Sequence, residues 1–329
     1  MIHQYFSKLL SLCISLTFLL MSDCHRDCTT PCLPDPPGTC MHSDADLEAC
    51  PFFPSSPPHE SSESFIFSAG DPTVAVFRLL NSNGIPNHTI GSFGGTYAPC
   101  HRPTTLLMQD YHWRIPMDPG ITESGDKRFV YFDVPEIFGY AVTGIPLDPE
   151  ANEWYCHPDY GWQKSALDHP DMAHDVDCNN GHIQPTGAYH YHGLPRGLYA
   201  YLGGKWPVPK VVLRPEDNDQ PIIRLGWGTD GVPVYGPLCL FEGPPGTLKN
   251  WWRPQSGYEI SPFHKTGSCV PDDAYLGYYE QDYIYVAGDG KLDPCNGHFA
   301  PTPEAPDGEY HYHITETFPH IPRCHTEMK

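Results

Sequence analysis

One local sequence occurs twice in the chain, as GHIQPTGAYHYH at residues 181–192 and as GHFAPTPEAPDGEYHYH at residues 297–313. The first copy follows DCNN and the second follows DPCN, and the second copy carries an insertion at residues 303–307. A tetrapeptide of two uncommon residue types that recurs with the same flanking residues indicates an internal repeat. The chain therefore contains two copies of one structural unit.

Side chains alternate between the two faces of a β-strand, so each Tyr-His-Tyr-His segment places its histidines on one face and its tyrosines on the other. Two imidazoles on one face can approach the same ion at the ~2.0–2.1 Å typical of metal–nitrogen bonds. An upstream histidine, returned by a Pro-Thr turn, supplies a third ligand, and Gly181 and Gly297 let the backbone approach the ion. The predicted ligands form two triads: His182, His190 and His192, and His298, His311 and His313.

Other residues near each triad are candidates for orienting the ligands, because a metal-bound imidazole usually donates its second ring N–H to a nearby acceptor. These candidates are Asp177, Asn180, Asp293 and Asn296. Three histidines leave a coordination position open to water or substrate. Two other arrangements remain open. All six histidines could surround one centre, although six imidazoles exceed what one zinc or copper ion takes. Alternatively, the strands could pack their tyrosines and leave their histidines in water.

Short apolar runs broken by glycine and proline predict a mainly β fold. The runs lie at residues 65–67, 74–80, 128–134, 140–142, 211–213, 222–227 and 283–286. We expect a single large β-sandwich-like domain over residues 65–326, built from two related halves that each contain one Tyr-His-Tyr-His strand. The segment at residues 230–237 is interpreted as strand, turn and strand with a packing role. His157, His169 and His174 precede the first copy and could add ligands, although such a polar stretch is typical of a solvated loop.

The N-terminus predicts secretion. Lys8 precedes an apolar stretch at residues 9–20, which has the length of a signal-peptide core and is too short to span a bilayer. We therefore expect a signal peptide at residues 1–22, a disulfide-tied Cys-rich segment at residues 23–50 and a Pro/Ser linker at residues 51–64. The twelve cysteines that remain predict up to six disulfides, which argues against a cysteine nucleophile. Asn87 begins a sequon for N-glycosylation in a secreted chain.

Composition and absent motifs exclude several functions. The 40 acidic residues against 19 Lys plus Arg give a net charge of -21, which disfavours nucleic acid and membrane surfaces as partners. An acidic chain with 19 histidines favours cations instead. The sequence contains no nucleophile elbow, no H-E-x-x-H motif, no P-loop and no dinucleotide-binding fingerprint. A metal ion is therefore the first expected partner, with copper slightly favoured over zinc because divalent affinity peaks at copper.

Three segments, at residues 181–195, 225–237 and 281–324, resemble the YHYH-domain proteins, a family of extracytoplasmic proteins. The resemblance covers roughly residues 65 to 326, and it implies a shared fold and a shared set of histidines but no particular reaction. The function that we expect is a secreted, disulfide-rich metal-binding protein with duplicated three-histidine sites for copper or zinc. Whether the sites support redox or hydrolytic catalysis on an unknown extracellular substrate stays open. The alternatives are a non-catalytic matrix or cell-surface module with structural metal sites, and a lectin-like module without metal.

Overall fold

Short β-strands make up most of the regular structure, so the prediction of a mainly β fold is confirmed. The computed structural model describes residues 58–91, 105–131, 137–156, 161–173, 176–206, 208, 221–241, 250–267 and 269–328. The predicted signal peptide, the Cys-rich segment, most of the linker, the run at 211–213, His157 and His174 lie outside these residues. Within them, no helix is long and apolar enough to cross a bilayer.

The strands are β1 (Ser61–Phe67), β2 (Ala75–Ser82), β3 (Tyr111–Pro116), β4 (Lys127–Tyr131), β5 (Gly139–Ala141), β6 (Pro146–Leu147), β7 (Trp154–Tyr155), β8 (Trp162–Gln163), β9 (Gly181–Ile183), β10 (Tyr189–Tyr191), β11 (Arg224–Gly228), β12 (Pro233–Tyr235), β13 (Cys239–Phe241), β14 (Asn250–Trp252), β15 (Tyr258–Ile260), β16 (Tyr283–Tyr285), β17 (Gly297–Ala300), β18 (Glu309–His313) and β19 (Cys324–Met328). The helices are α1 (Pro170–Ala173) and α2 (Arg196–Tyr201), and two 3-10 turns lie at Asp273–Tyr275 and Glu280–Asp282.

The central sheet has eight strands in the order β17-β18-β12-β11-β5-β6-β10-β9. Each half consists of an inner antiparallel pair and an outer antiparallel pair, joined by parallel pairing of β6 with β10 in one half and of β12 with β18 in the other. The two halves meet where β11 runs antiparallel to β5, with Trp227 opposite Tyr140. From either edge of the sheet inward, the order is therefore the same: an outer antiparallel pair, a parallel contact and an inner antiparallel pair.

A second sequence repeat underlies the inner pairs. Residues 139–149 read GYAVTGIPLDP and residues 226–237 read GWGTDGVPVYGP, and each stretch forms a strand, a tight turn and a second strand. Gly144 and Gly231 occupy the turns with φ angles of 78° and 91°, a left-handed conformation that glycine adopts without a steric penalty. Tyr140 pairs with Pro146, and Trp227 pairs with Pro233 in the same way. The internal repeat thus extends to all eight strands.

The pairing register decides which side chains share a face of this sheet. Residues directly opposite each other on neighbouring strands point to the same face. Leu147 lies opposite Tyr191 in one half, Val234 lies opposite Tyr312 in the other, and Gly226 opposite Ala141 connects the two. The four tyrosines of the two motifs therefore lie on one face, and their histidines lie on the opposite face.

The tyrosine face forms the main hydrophobic core. Tyr189, Tyr191, Tyr310 and Tyr312 are buried there among aliphatic residues and Phe138. Their hydroxyl groups reach polar partners inside the protein: Asp177 for Tyr189, His88 for Tyr191, Asp293 for Tyr310 and Asp230 for Tyr312. A buried tyrosine is stable only when its hydroxyl group is hydrogen-bonded, so these partners allow the motif to be packed as core.

A three-stranded sheet, β1-β2-β3, packs over the centre of the histidine face. Leu80 and Ile115 contact Trp227 there, and Trp113 stacks on Tyr140 at 4.1 Å. This packing of one sheet on another covers the middle of the face. Four two-stranded ribbons complete the described structure: β4 with β19, β7 with β8, β13 with β14, and β15 with β16.

A disulfide bond joins Cys295, at the start of the second repeat, to Cys324 at the first residue of β19. Cys178 is also disulfide-bonded. The other described cysteines are Cys156, Cys239 and Cys269, of which Cys239 is buried. Because six of the twelve cysteines lie outside the described residues, the expectation of up to six disulfides stays a prediction.

Candidate metal centres

The first triad is formed by the antiparallel pair β9 and β10. The hairpin places His182 directly opposite His190, and His192 follows two residues later on the same face. The three Nε2 atoms converge, at 3.0 Å between His182 and His190, 3.0 Å between His190 and His192, and 3.1 Å between His192 and His182. The structure thus brings together the three histidines that the repeat predicts.

The second triad has the same construction in β17 and β18. His298 lies opposite His311 across the hairpin, and His313 follows on the same face. The Nε2 atom of His298 lies 3.0 Å from that of His311 and 3.1 Å from that of His313. Each Pro-Thr turn therefore returns the third histidine as the sequence predicts.

The triangle of nitrogen atoms fits a bound ion. Corners of an equilateral triangle of this size lie about 1.8 Å from its centre, so typical metal–nitrogen bonds of ~2.0–2.1 Å are within reach of all three Nε2 atoms in the first triad. Three neutral imidazoles also cannot satisfy one another, because each offers only one N–H donor. A cation that accepts three lone pairs resolves both the close approach and the lack of donors.

Five of the six histidines are buried and His298 is half-buried, which rules out the arrangement with histidines in water. The exposed fraction is 3% for His190, 4% for His192, 1% for His311 and 0% for His313. Burial lowers the pKa of His311 to about 4, and burial together with the neighbouring His311 lowers the pKa of His298 to about 3. The imidazoles of the second triad are therefore neutral at pH 7, which is the form that binds metal.

The two triads lie at opposite ends of the central sheet. Four strands separate β10 from β18 in the strand order. At about 4.8 Å for each step between neighbouring strands, they lie roughly 24 Å apart along the sheet. The alternative in which all six histidines surround one centre is therefore excluded, and the chain carries two separate candidate centres.

Backbone carbonyl groups accept hydrogen bonds from the outer ring nitrogens of three ligands. The Nδ1 atom of His192 donates to Asp148 O at 2.9 Å, that of His311 to Glu309 O at 3.0 Å, and that of His313 to Gly236 O at 2.7 Å. A carbonyl can only accept, so it fixes the tautomer with Nε2 free to bind a metal ion. Asp148 and Gly236 follow β6 and β12, the strands that pair with the two motif strands.

The predicted orienting residues hold the loops that precede the triads. Asp177 accepts hydrogen bonds from the Asn179 and Gly181 amides, and Asp293 accepts them from the Cys295 and Gly297 amides. Asn180 and Asn296 adopt left-handed φ angles of 55° and 52°. Their carbonyl groups accept hydrogen bonds from the amides of His192 and His313. A direct hydrogen bond from these four side chains to the ligand rings stays a prediction.

The two glycines that the repeat shares, Gly181 and Gly297, have a different role from the one expected. A Cβ atom on Gly181 would lie 2.5 Å from the Tyr189 hydroxyl oxygen, and one on Gly297 would collide with the Tyr310 hydroxyl. Residues 181 and 297 lie one position from the first histidine of each triad and therefore face the other side of the sheet. The glycines make room for a core tyrosine and do not bring the backbone near the ion.

Two residues beside the triads were not anticipated from the sequence. The carboxylate of Asp148 lies 3.9 Å from His190 Nε2, and burial raises its pKa to about 7. In the other half, the Sγ atom of Cys239 and nitrogen atoms of His298 and His313 all lie within 4.8 Å of one another. Residues 139–149 and 226–237 share a Gly-x-Pro turn. This second repeat is the feature of the sequence that indicates that the segments carrying Asp148 and Cys239 lie beside the two Tyr-His-Tyr-His strands.

The remaining predicted residues lie elsewhere. His169 is buried and makes edge contacts with Tyr278 and Tyr279, and it belongs to neither of the two metal-binding groups among the described residues. Asn87 is half-buried in a loop, and its glycosylation stays a prediction.

A family model with the description YHYH protein matches residues 112–326, which include both triads, Asp148 and Cys239. No curated protein and no solved structure matches the chain.

Proposed function

Since the chain belongs to the YHYH protein family and the matched region contains both triads, we propose that it is a secreted protein whose two triads each bind one metal ion. The observation that carries the proposal is the convergence of Nε2 atoms in both halves of the sheet: all three pairs lie 3.0–3.1 Å apart in the first triad, and His298 lies 3.0 and 3.1 Å from its two partners in the second. The predicted signal peptide and the Cys295–Cys324 disulfide support an oxidising, extracellular location.

Copper is the favoured metal at an all-imidazole site, and zinc is the alternative. Affinity for divalent first-row metals peaks at copper, and imidazole suits both copper and zinc. Bound copper would supply redox chemistry, and bound zinc would supply a hydroxide near neutral pH. The protein contributes three histidines at each site, and carbonyl groups fix the tautomers of His192, His311 and His313. At the first triad it adds the carboxylate of Asp148, 3.9 Å from His190 Nε2.

Burial of the ligands supports a second candidate function, a non-catalytic extracellular module with structural metal ions. Each ion would tie the two strands of an outer hairpin at an edge of the sheet, where β9 and β17 each pair with one other strand among the described residues. A water molecule on the bound ion that exchanges with solvent, detected by spectroscopy, would favour catalysis. A closed coordination sphere would favour the structural role.

Metal analysis of secreted protein purified without a histidine tag tests the proposal. We expect two ions per chain in the parent protein, one in His190→Ala/His192→Ala, one in His311→Ala/His313→Ala and none when the four substitutions are combined. His112→Ala is the matched control, because this histidine is exposed and lies in the other sheet. Equal trace amounts of metal in all these proteins would refute metal binding.

A further inference from the structure

The two triads have different surroundings, although the sheet around them is duplicated. The carbonyl groups of Asp148 and Gly236 occupy corresponding positions, since each accepts a hydrogen bond from the last histidine of its triad. Asp148 also brings a carboxylate to within 3.9 Å of His190 Nε2. Gly236 has no side chain, so the second triad receives no carboxylate from this position.

Cys239 approaches the second triad from the same segment. The chain leaves β12 after Tyr235, turns through Gly236, Pro237 and Leu238, and enters β13 at Cys239. Antiparallel pairing with Trp252 of β14 fixes the backbone at this residue. The Cys239 side chain is 1% exposed, and its Sγ atom forms a cluster within 4.8 Å with nitrogen atoms of His298 and His313. The corresponding cluster at the first triad contains only the three imidazoles, among the residues that the structure describes.

We propose that the Cys239 thiolate is a ligand at the second centre, which is therefore a mixed cysteine–histidine site, whereas the first centre is an all-histidine site. This inference rests on the proposed function, because it presupposes that the second triad binds metal. Thiolate is a soft ligand that selects Cu(I) or zinc, and two histidines with one cysteine form a donor set used by both copper and zinc proteins. The two centres thus differ in the metals that they prefer.

Metal binding at the second centre changes one covalent bond of the protein. A metal-bound thiol is deprotonated outright. Each ion bound by Cys239 therefore forms one metal–sulfur bond and breaks the S–H bond of the thiol, whose proton passes to the solvent.

Cobalt substitution in single-site variants tests the inference. His190→Ala/His192→Ala retains only the second triad, and His311→Ala/His313→Ala retains only the first. Loaded with Co²⁺, the first variant should show a near-ultraviolet sulfur-to-cobalt charge-transfer band. The second variant should lack this band. Cys239→Ser in the first background should abolish the band and weaken binding at least about tenfold, while Cys269→Ser should leave both unchanged.

X-ray absorption of the zinc-loaded His190→Ala/His192→Ala protein gives a readout that does not depend on folding of a cysteine variant. One sulfur neighbour at about 2.3 Å is expected. A shell of nitrogen and oxygen alone, with zinc still bound at one ion per chain, would overturn the role of Cys239 and leave the proposed function standing. If the His190→Ala/His192→Ala protein bound no zinc, both the role of Cys239 and metal binding at the second triad would be overturned. The His311→Ala/His313→Ala protein would then show whether the first triad binds metal.

Discussion

Removal of the Tyr310 hydroxyl group tests whether the tyrosine face supports the second metal centre. This hydroxyl donates to Asp293 Oδ2 at 2.6 Å and lies 2.8 Å from Thr326 Oγ1. Tyr310→Phe deletes both hydrogen bonds inside the core. A hydrogen bond to a charged group contributes about 1.5–3 kcal/mol and a neutral one about 0.5–1.5 kcal/mol. We therefore expect the free energy of unfolding to fall by about 2–4 kcal/mol.

The same substitution should weaken metal binding at one triad only. Asp293 holds the Cys295 and Gly297 amides in the loop before His298, so a displaced carboxylate moves the first ligand. We expect a loss of about 10–100-fold in affinity at the second triad and none at the first. Tyr189→Phe is the reciprocal variant, because its hydroxyl donates to Asp177 at 2.8 Å in the other half. It should weaken only the first triad.

Guanidinium chloride unfolding of the metal-free protein at pH 7 measures the change in the free energy of unfolding. Competition with a chromophoric chelator in the single-site variants measures the change in metal affinity at each triad. Tyr201→Phe is the control, because this side chain is 69% exposed and its loss should change the free energy of unfolding by less than about 0.5 kcal/mol. A Tyr310→Phe protein as stable as Tyr201→Phe would refute the hydrogen-bond argument. Equal losses of affinity at both triads would refute its local action.

Three further predictions concern the disulfide, the pH dependence and a glycine. Cys295→Ser/Cys324→Ser opens a loop with a sequence separation of 29, which should cost about 3–4 kcal/mol in denaturant unfolding, and no loss would contradict the loop-closure argument. His311 titrates at about 4 in the folded protein and near 6.5 when unfolded, so the unfolded chain binds more protons between these values. As the pH falls from about 6.5 to about 4, the free energy of unfolding of the metal-free protein should therefore decrease by about 3 kcal/mol because of this group. His311→Gln should reduce this dependence on pH. An unchanged pH dependence would count against burial as the cause. Gly297→Ala should displace Tyr310 and abolish metal binding at the second triad, so normal binding there would refute the role assigned to this glycine.

Much of each candidate centre could be predicted from the sequence, because its three ligands lie on two strands joined by one short turn. Alternation along the strand assigns His190 and His192 to one face, and the hairpin brings His182 opposite them. Only local pairing is needed for this step. The separation of the two centres could not be predicted in the same way, because it depends on which strands are neighbours in the sheet.

Asp148 and Cys239 could not be predicted because parallel pairing brings distant segments beside the triads. Asp148 reaches the first triad through the contact of β6 with β10, and Cys239 reaches the second after β12, which pairs with β18. The even number of cysteines predicts disulfides, and nothing in that count distinguishes the one cysteine that lies beside the second triad among the described residues. Gly181 and Gly297 face the tyrosine side of the sheet because each precedes the first histidine of its triad by one residue, so alternation along the strand accounts for their contacts with Tyr189 and Tyr310.

Tyr140 and Trp227 hold corresponding positions in the two halves and lie opposite each other where the halves meet. A polypeptide with only one half could pair with a second copy of itself along this seam and form the same eight-stranded sheet. Such a homodimer would be symmetric, so any substitution beside one ion would also be made beside the other. Joining both halves in one chain removes that constraint. Asp148 and Cys239 show the result, since a carboxylate and a thiol stand beside otherwise matched triads in a single molecule.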